Sequence, residues 1–235
     1  MARTAAAKSD ALFTPDFFRF LGELRLHNER PWFEANKQRY EESVKEPTLR
    51  LIEALQPLLR KVSQKIVVDP RPVGGSMMRI YRDIRFSKDK TPYKPYVAAM
   101  FHHQKGKEGS APGYYLHLEP GESALGCGVW RPEGPALKGI RDAIVSEPAR
   151  WKKVTSGLTK GSGCTMIGES LKRPPPGYPP DHELIEDLKR KDFGVSVRFA
   201  DRDVLSPEFP EALAQSAREM APFMSFLAEA MGESF

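Results

Sequence analysis

The residues from Arg79 to Lys94 carry the densest chemistry in this sequence. They include six basic side chains and two acidic ones, and they hold a net charge of +4 out of the +5 of the whole chain. The basic residues are Arg79, Arg82, Arg85, Lys88, Lys90 and Lys94. Because arginine presents a fork of donors that matches the oxygens of phosphate and carboxylate groups, this spacing indicates the binding of an anion.

Nine residues of this segment have a role in the predicted site. We expect Arg79, Arg82 and Arg85 to hold the anion and Asp83 to orient the arginines. The residues expected to complete the ligand-binding site are Ser87, Lys90, Tyr93 and Lys94. If the protein performs a reaction, Asp83 and Asp89 are the candidate catalytic residues, since a carboxyl group can serve as an acid or a base.

A structural interpretation of the same segment stands beside the functional one. In it, the two acids pair with neighbouring basic residues and so fix the fold, as partly buried ion pairs can. The pairs are Asp83 with Arg79 or Arg85, and Asp89 with Lys90 or Lys94. Both interpretations stay open at this point.

The local structure of the segment depends on its apolar residues. A strand would turn Ile80, Ile84 and Phe86 toward the core, because alternate side chains share a face. A helix would instead place Met77, Ile80 and Ile84 in one apolar stripe. The sequence favours neither.

Two weaker patterns also invite a chemical interpretation. Ser87 and Lys90 satisfy the Ser-x-x-Lys pattern of some hydrolases, but its companion Ser-Asp-Asn and Lys-Thr-Gly elements are absent. His117 and Glu119 share one face of a predicted strand, where a neighbouring strand could add a histidine from the pair at 102–103. Since no recognised ligand motif accompanies them, the sequence favours hydrogen-bonded histidines and no metal site.

The elements that must position these residues change type along the chain. Apolar residues recur at helical spacing through the first quarter, where Pro47 and Pro57 are expected to end or kink helices. Alternation then predicts an antiparallel meander, followed by helices. The predicted strands span 96–103, 114–119, 123–130 and 193–199, and the later helices span 135–145, 148–158 and 181–188, with a last one starting at 206. This order predicts an α+β fold in which N-terminal and C-terminal helices flank a central antiparallel sheet.

Composition limits the class of protein. Hydrophobic residues make up 40% and charged residues 29% of the 235 residues, and no apolar run approaches the length of a bilayer span. We expect a disordered tail at 1–12 and a single domain at 13–235. Two cysteines, Cys127 and Cys164, form no disulfide framework, and no secretory signal is visible, so we expect a cytoplasmic protein without a membrane partner.

The segment also resembles the hallmark of a widespread family of uncharacterised bacterial proteins, a domain of unknown function. That hallmark is similar to Arg-Ile-x-Arg-Asp-x-Arg-Phe-Ser-x-Asp-Lys-x-Pro-Tyr-Lys, which runs here from Arg79 to Lys94 without a gap. Further resemblance lies at 17–24, 32–37 with Tyr40, 115–121, 128–132 and 171–178. His27 departs from the asparagine that the family would place there. The resemblance implies a shared fold but no established activity, cofactor or catalytic residue.

Three functions are therefore compatible with the sequence. The first is the binding, with or without turnover, of a small molecule that bears a phosphate or carboxylate group in a basic cleft. The second is a nucleic-acid-associated protein, or a metal-assisted phosphodiesterase, that adds Trp32, Tyr115 and Trp130 as stacking surfaces. The third is a non-catalytic protein in which the basic segment only fixes the fold. The sequence identifies no cofactor and no oligomeric state.

Overall fold

The computed structural model describes residues 11–106, 111–161 and 163–235. Most of the predicted N-terminal tail therefore lies outside the described residues. At its end, Leu12 already packs against the core and Phe13 is buried. Buried side chains from the first helix to the last belong to one hydrophobic cluster.

The N-terminal part is helical, as predicted. Helix α1 (Pro15–Leu26) buries Phe17, Phe20, Leu21 and Leu24 along one face. It is followed by α2 (Arg30–Ala35), α3 (Lys37–Tyr40), a π-helical turn (Glu41–Lys45) and α4 (Glu46–Arg60).

Of the two alternatives for Pro47 and Pro57, the one in which they end helices was wrong, since both lie within α4. Pro47 falls in the first turn of α4, directly after the π-helical turn, where the hydrogen-bond pattern already changes. α4 then continues through Pro57 to Arg60. A proline deprives a helix of one backbone donor, and here the apolar face of α4 is buried and holds the helix in place.

The sheet is antiparallel and has the strand order β1-β2-β3-β5-β4. Its strands are β1 (Val97–His102), β2 (Gly113–Leu118), β3 (Ala124–Val129), β4 (Thr165–Ile167) and β5 (Phe193–Arg198). The predicted meander is confirmed, and β5, which corresponds to the last predicted strand, pairs with β3 at its end. β4 was not predicted, because three residues are too few for an alternating pattern.

Helices cover one face of the sheet. The long helix α9 (Phe209–Ala230) packs against β3 and also against α4. The hydroxyl group of Tyr114 on β2 donates a hydrogen bond of 2.8 Å to the carbonyl of Ala217 on α9. α5 (Gly134–Ser146) and α6 (Pro148–Gly161) pack on α9 as well. The α+β class is confirmed.

Two short helices connect the remaining segments. α7 (Ile185–Leu188) is shorter than the predicted helix from Asp181, because the residues before it form a turn in which the His182 amide donates to the Pro179 carbonyl. α8 (Asp201–Val204) precedes α9. Within the described part of the chain, no helix combines the length and apolar character that a bilayer span requires.

Candidate functional site

The segment from Arg79 to Lys94 folds as an irregular hairpin, which we call the basic hairpin. Its two arms are joined by hydrogen bonds from the Arg82 amide to the Pro92 carbonyl (2.9 Å) and from the Lys94 amide to the Ile80 carbonyl (2.8 Å). The hairpin continues from the outer edge of β1, where the Met78 amide donates to the Ala98 carbonyl. The helical alternative for this segment was therefore wrong.

The strand alternative holds only for the arms of the hairpin. Ile80 is buried, and Ile84 is half-buried. Phe86, which was expected to face the core, is 95% exposed. Backbone pairing stops at Arg82, and beyond that point nothing keeps alternate side chains on one face.

Both aspartates of the basic hairpin form ion pairs with arginines. Asp83 accepts two hydrogen bonds from the Arg85 guanidinium, at 2.9 and 2.7 Å, which lower the pKa of Asp83. Asp89 accepts hydrogen bonds from the Thr91 amide and from Arg82, and these lower the pKa of Asp89 to about 2. The predicted Asp83–Arg85 pair is confirmed, whereas the predicted pairing of Asp89 with a lysine was wrong.

Two lysines of the basic hairpin, Lys90 and Lys94, donate hydrogen bonds to backbone carbonyl groups and not to carboxylates. Lys90 Nζ donates to the Ile84 carbonyl (2.9 Å), and Lys94 Nζ donates to the Arg79 carbonyl (3.1 Å). Burial, together with the positive charge of Arg79, lowers the pKa of Lys94. Among the described residues, no carboxylate pairs with Arg79, Lys88, Lys90 or Lys94.

Tyr93 anchors the basic hairpin to the helices. Its ring is buried and stacks on Phe33 with centroids 4.1 Å apart. The side chain of Asn28 accepts a hydrogen bond from the Tyr93 amide (3.0 Å) and donates one to the Tyr93 carbonyl (2.9 Å). Tyr93 was predicted to complete the ligand site, but its ring points into the core.

A shallow hollow lies between the basic hairpin and the junction of α1 with α2. Asn28, Arg30, Lys90 and Thr91 are among its lining residues. Ser87 lies at the tip of the hairpin, is half-buried and is not one of the lining residues. The predicted site residues are thus spread over the base, the arms and the tip of one hairpin.

A second candidate site lies on the sheet face that α9 does not cover. A cavity of about 570 Å³ opens there, and we call it the glycine-floored cavity. It is lined by glycines at 106, 113, 126, 128 and 194 and by Met100, His102, Ala111, Tyr115, Cys127, Val129, Trp130 and Ile167. This cavity was not predicted from the sequence, because its lining residues come from all five strands and are far apart along the chain.

His117 does not lie beside the paired histidines at 102–103, as the disfavoured metal interpretation would require. His117 Nε2 lies 2.7 Å from Glu119 Oε2, and Glu119 also accepts a hydrogen bond from Arg25 at 2.5 Å. His117 is opposite Ala98 in β1, whereas His102 is opposite Gly113, four residues away from His117 along β2. In residues 11–106, 111–161 and 163–235, no three His, Cys, Asp or Glu side chains form a group that could hold a metal ion.

Comparison with known proteins gives a family and nothing more. A family model described as a conserved hypothetical protein, DUF2461, matches residues 16–226. No curated protein and no solved structure matches the chain significantly.

Proposed function

We propose that this chain, which belongs to the DUF2461 family of conserved hypothetical proteins, binds a small molecule with a phosphate or carboxylate group at the base of its basic hairpin. The observation that carries the proposal is the charge that remains on the hairpin after its internal pairs have formed. Asp83 and Asp89 neutralise Arg85 and Arg82, respectively. The other four cations of the hairpin have no carboxylate partner in the described residues.

Two of these cations lie close together at the base of the hairpin. The ammonium group of Lys94 is held against the Arg79 carbonyl, and the Arg79 charge contributes to the lowered pKa of Lys94. An anion between the two side chains would offset this repulsion and raise the pKa of Lys94 again. Burial is the larger cause of the lowered pKa of Lys94 and the Arg79 charge is the smaller one, so the anion would act on the smaller of the two.

The remaining residues would support this site in different ways. Asp83 and Asp89 keep Arg85 and Arg82 in fixed positions, so that the backbone of the hairpin is held by its own ion pairs. Lys90 and Arg30, which line the shallow hollow, would contact a second polar group of a larger ligand. In this proposal the two aspartates position other residues, and a reaction is not required.

The test is a calorimetric titration of the full chain with inorganic phosphate and with pyrophosphate. We expect Arg79→Gln and Lys94→Gln to weaken binding by at least about tenfold, since a hydrogen bond to a charged group contributes about 1.5–3 kcal/mol. The matched control is Lys172→Gln, which removes the same charge from an exposed position far along the chain. Equal weakening by all three variants would mean that only net charge matters, and it would contradict the proposed site.

A second function is favoured by the aromatic residues of the hairpin. Phe86 is 95% exposed and Tyr81 is 49% exposed, and the Arg85 guanidinium lies 5.9 Å from the centre of the Phe86 ring. Exposed aromatic rings beside cations are the means by which proteins hold single-stranded nucleic acids. We therefore keep nucleic-acid binding as the alternative, with metal-assisted phosphodiester cleavage as its enzymatic form.

One assay separates the two functions. Binding of a fluorescent thymidine oligonucleotide is measured by anisotropy at increasing salt, with Phe86→Ala alongside, and a gel run after adding Mg²⁺ tests for cleavage. A steep salt dependence with loss in Phe86→Ala supports the nucleic-acid function. Weak binding of the oligonucleotide together with clear binding of pyrophosphate supports the small anion.

We also propose a cytoplasmic location. Cys127 and Cys164 are both buried and neither forms a disulfide, as expected for a protein kept in a reducing compartment. Fractionation of the native cells, followed by detection with an antibody, tests this location.

A further inference from the structure

The glycine-floored cavity is a second site that does not depend on the basic hairpin. Its floor is one row of paired residues that crosses the sheet from edge to edge. The row is His102, Gly113, Gly128, Gly194 and Ile167, one residue from each strand. Paired residues of antiparallel strands share a face, so the central part of this row carries no side chains.

The walls of the cavity are mainly aromatic and apolar. The next row along the sheet contributes Met100, Tyr115 and Gly126, with Tyr115 opposite Gly126. Trp130 stands at the rim and is 61% exposed, which is unusual for the largest apolar side chain. The cavity volume of about 570 Å³ is within the range of small-molecule sites.

Two of the floor glycines have a structural explanation. A Cβ atom at Gly128 would lie 2.0 Å from the Phe193 carbonyl oxygen, and its φ of +132° disfavours any other residue. A Cβ atom at Gly113 would lie 3.0 Å from the Phe101 carbonyl oxygen. Gly128 therefore requires glycine even in a protein without a ligand, and Gly113 is favoured by the tight contact with the neighbouring strand.

Gly126 has no such explanation. A Cβ atom there would make ordinary contacts, the nearest at 3.4 Å to the Val195 carbonyl oxygen, and the backbone φ is not positive. A glycine inside a strand costs about 0.5–1 kcal/mol relative to alanine, and it often marks a place where a ligand approaches the backbone closely. Gly126 therefore lowers strand stability and keeps the cavity open.

The lining residues define the chemistry of the occupant. No Lys, Arg, Asp or Glu side chain is among the described lining residues, so this described lining offers no counter-ion. A floor of bare backbone and walls of Tyr115, Trp130 and His102 are suited to a flat ring that stacks or meets other rings edge to face. We propose that the glycine-floored cavity binds a planar, uncharged aromatic or heteroaromatic molecule.

Tyr115 would provide the polar contact of this site. It lines the cavity, and burial raises the pKa of its hydroxyl group, so the hydroxyl stays protonated at neutral pH and can donate a hydrogen bond. A ligand with a carbonyl oxygen or a ring nitrogen at one edge would accept it. Such a small number of polar groups in an apolar pocket is the usual way to fix a ligand's orientation.

The test uses the full chain and N-phenyl-1-naphthylamine, an uncharged aromatic probe whose fluorescence rises in an apolar site. We expect saturable binding of one probe per chain, accompanied by quenching of tryptophan fluorescence through Trp130. Gly126→Leu places a side chain in the cavity from the row beside its floor and should weaken binding at least about tenfold, as expected when a pocket is filled. Trp130→Ala, at an exposed position, should weaken it about fivefold by removing one wall.

The matched control is Ala124→Leu, which adds a comparable side chain on the same strand and face but outside the cavity. Its affinity should match that of the unmodified protein, and melting curves of all variants confirm that they are folded. The sulfonated relative of the probe, 1-anilinonaphthalene-8-sulfonate, should bind the cavity more weakly, since the described lining contains no Lys or Arg side chain to pair with the sulfonate. Absence of saturable binding, or equal affinity in Gly126→Leu and Ala124→Leu, would overturn the proposal.

Discussion

The basic hairpin and the glycine-floored cavity both adjoin strand β1, but they are built in opposite ways. The hairpin is one continuous segment, and it is open to solvent and positively charged. The cavity is assembled from all five strands, and its described lining lacks charged Lys, Arg, Asp and Glu side chains. The hairpin extends from the outer edge of β1, whereas the cavity lies on the uncovered face of the sheet.

This difference shows two ways of making room for a ligand. In the hairpin, Asp83 and Asp89 hold two arginines in place, and the remaining cations supply the attraction for an anion. In the cavity, glycines leave space above the sheet because they have no side chains, and aromatic rings at the margin provide the contacts. An anion and a flat neutral molecule would each prefer one region and be disfavoured by the other, so the two sites should be independent.

The largest expected effect separates Gly128, a structural glycine of the cavity floor, from Gly126 in the neighbouring row, which we propose keeps the cavity open. We expect Gly128→Ala to destabilise the protein by about 3 kcal/mol or more, because its Cβ atom would collide with the Phe193 carbonyl and its backbone conformation is strained. Gly126→Ala should be neutral, or should stabilise the fold by about 0.5 kcal/mol, since it removes a glycine from a strand. Denaturation by urea measures both variants.

A comparable loss of stability in the two variants would show that both glycines are required for folding. In that case Gly126 would no longer support the cavity as a ligand site. A stable Gly126→Ala protein that also loses the aromatic probe would instead sharpen the distinction between the two glycines.

The next effect concerns the anchor of the basic hairpin. Asn28→Ala removes both hydrogen bonds to the Tyr93 backbone and leaves partly buried groups without their partner, at a cost of about 2 kcal/mol. Because Asn28 holds the hairpin, phosphate binding should fall with it, whereas binding of the aromatic probe should stay unchanged.

Loss of both ligands in the folded Asn28→Ala protein would contradict the independence of the two regions. The measurement is a pair of titrations, with pyrophosphate and with N-phenyl-1-naphthylamine, on protein shown to be folded by its melting curve.

The contrast also explains which features could be predicted from the sequence. The meander and the long helices have strong periodicity, and the hairpin is marked by six cations within sixteen residues, so these features are visible locally. The partner of Asp89 was not predictable, because it depends on which residues of the two hairpin arms lie opposite each other. Arg82 lies opposite Asp89, whereas Lys90 and Lys94 donate to backbone carbonyl groups. Phe86 was misplaced because the alternation of a strand was extended into a loop.

The cavity could not be predicted for a different reason. Gly113, Gly128 and Gly194 lie far apart in the sequence and meet only through the strand register. A glycine inside a strand is a visible signal, and Gly126 and Gly128 flank Cys127 on β3. Without the register, that signal does not indicate that glycines of other strands lie beside them.

The smallest expected effect tests whether the hairpin acids are held as tightly as the geometry indicates. The Thr91 amide and Arg82 lower the pKa of Asp89 from its ordinary 3.8 to about 2. A carboxyl group with a lowered pKa stabilises the folded hairpin while it is ionised, so this contribution is complete above the ordinary pKa and is lost as the pH falls toward 2. The amide resonance of Thr91, followed by NMR in an acid titration, should therefore shift with a midpoint near pH 2, and Asp89→Asn should abolish that shift.

A midpoint near the ordinary value would show that the Asp89 carboxylate is free in solution. The basic hairpin would then lose its internal support, and Arg82 would join the cations available to an anion.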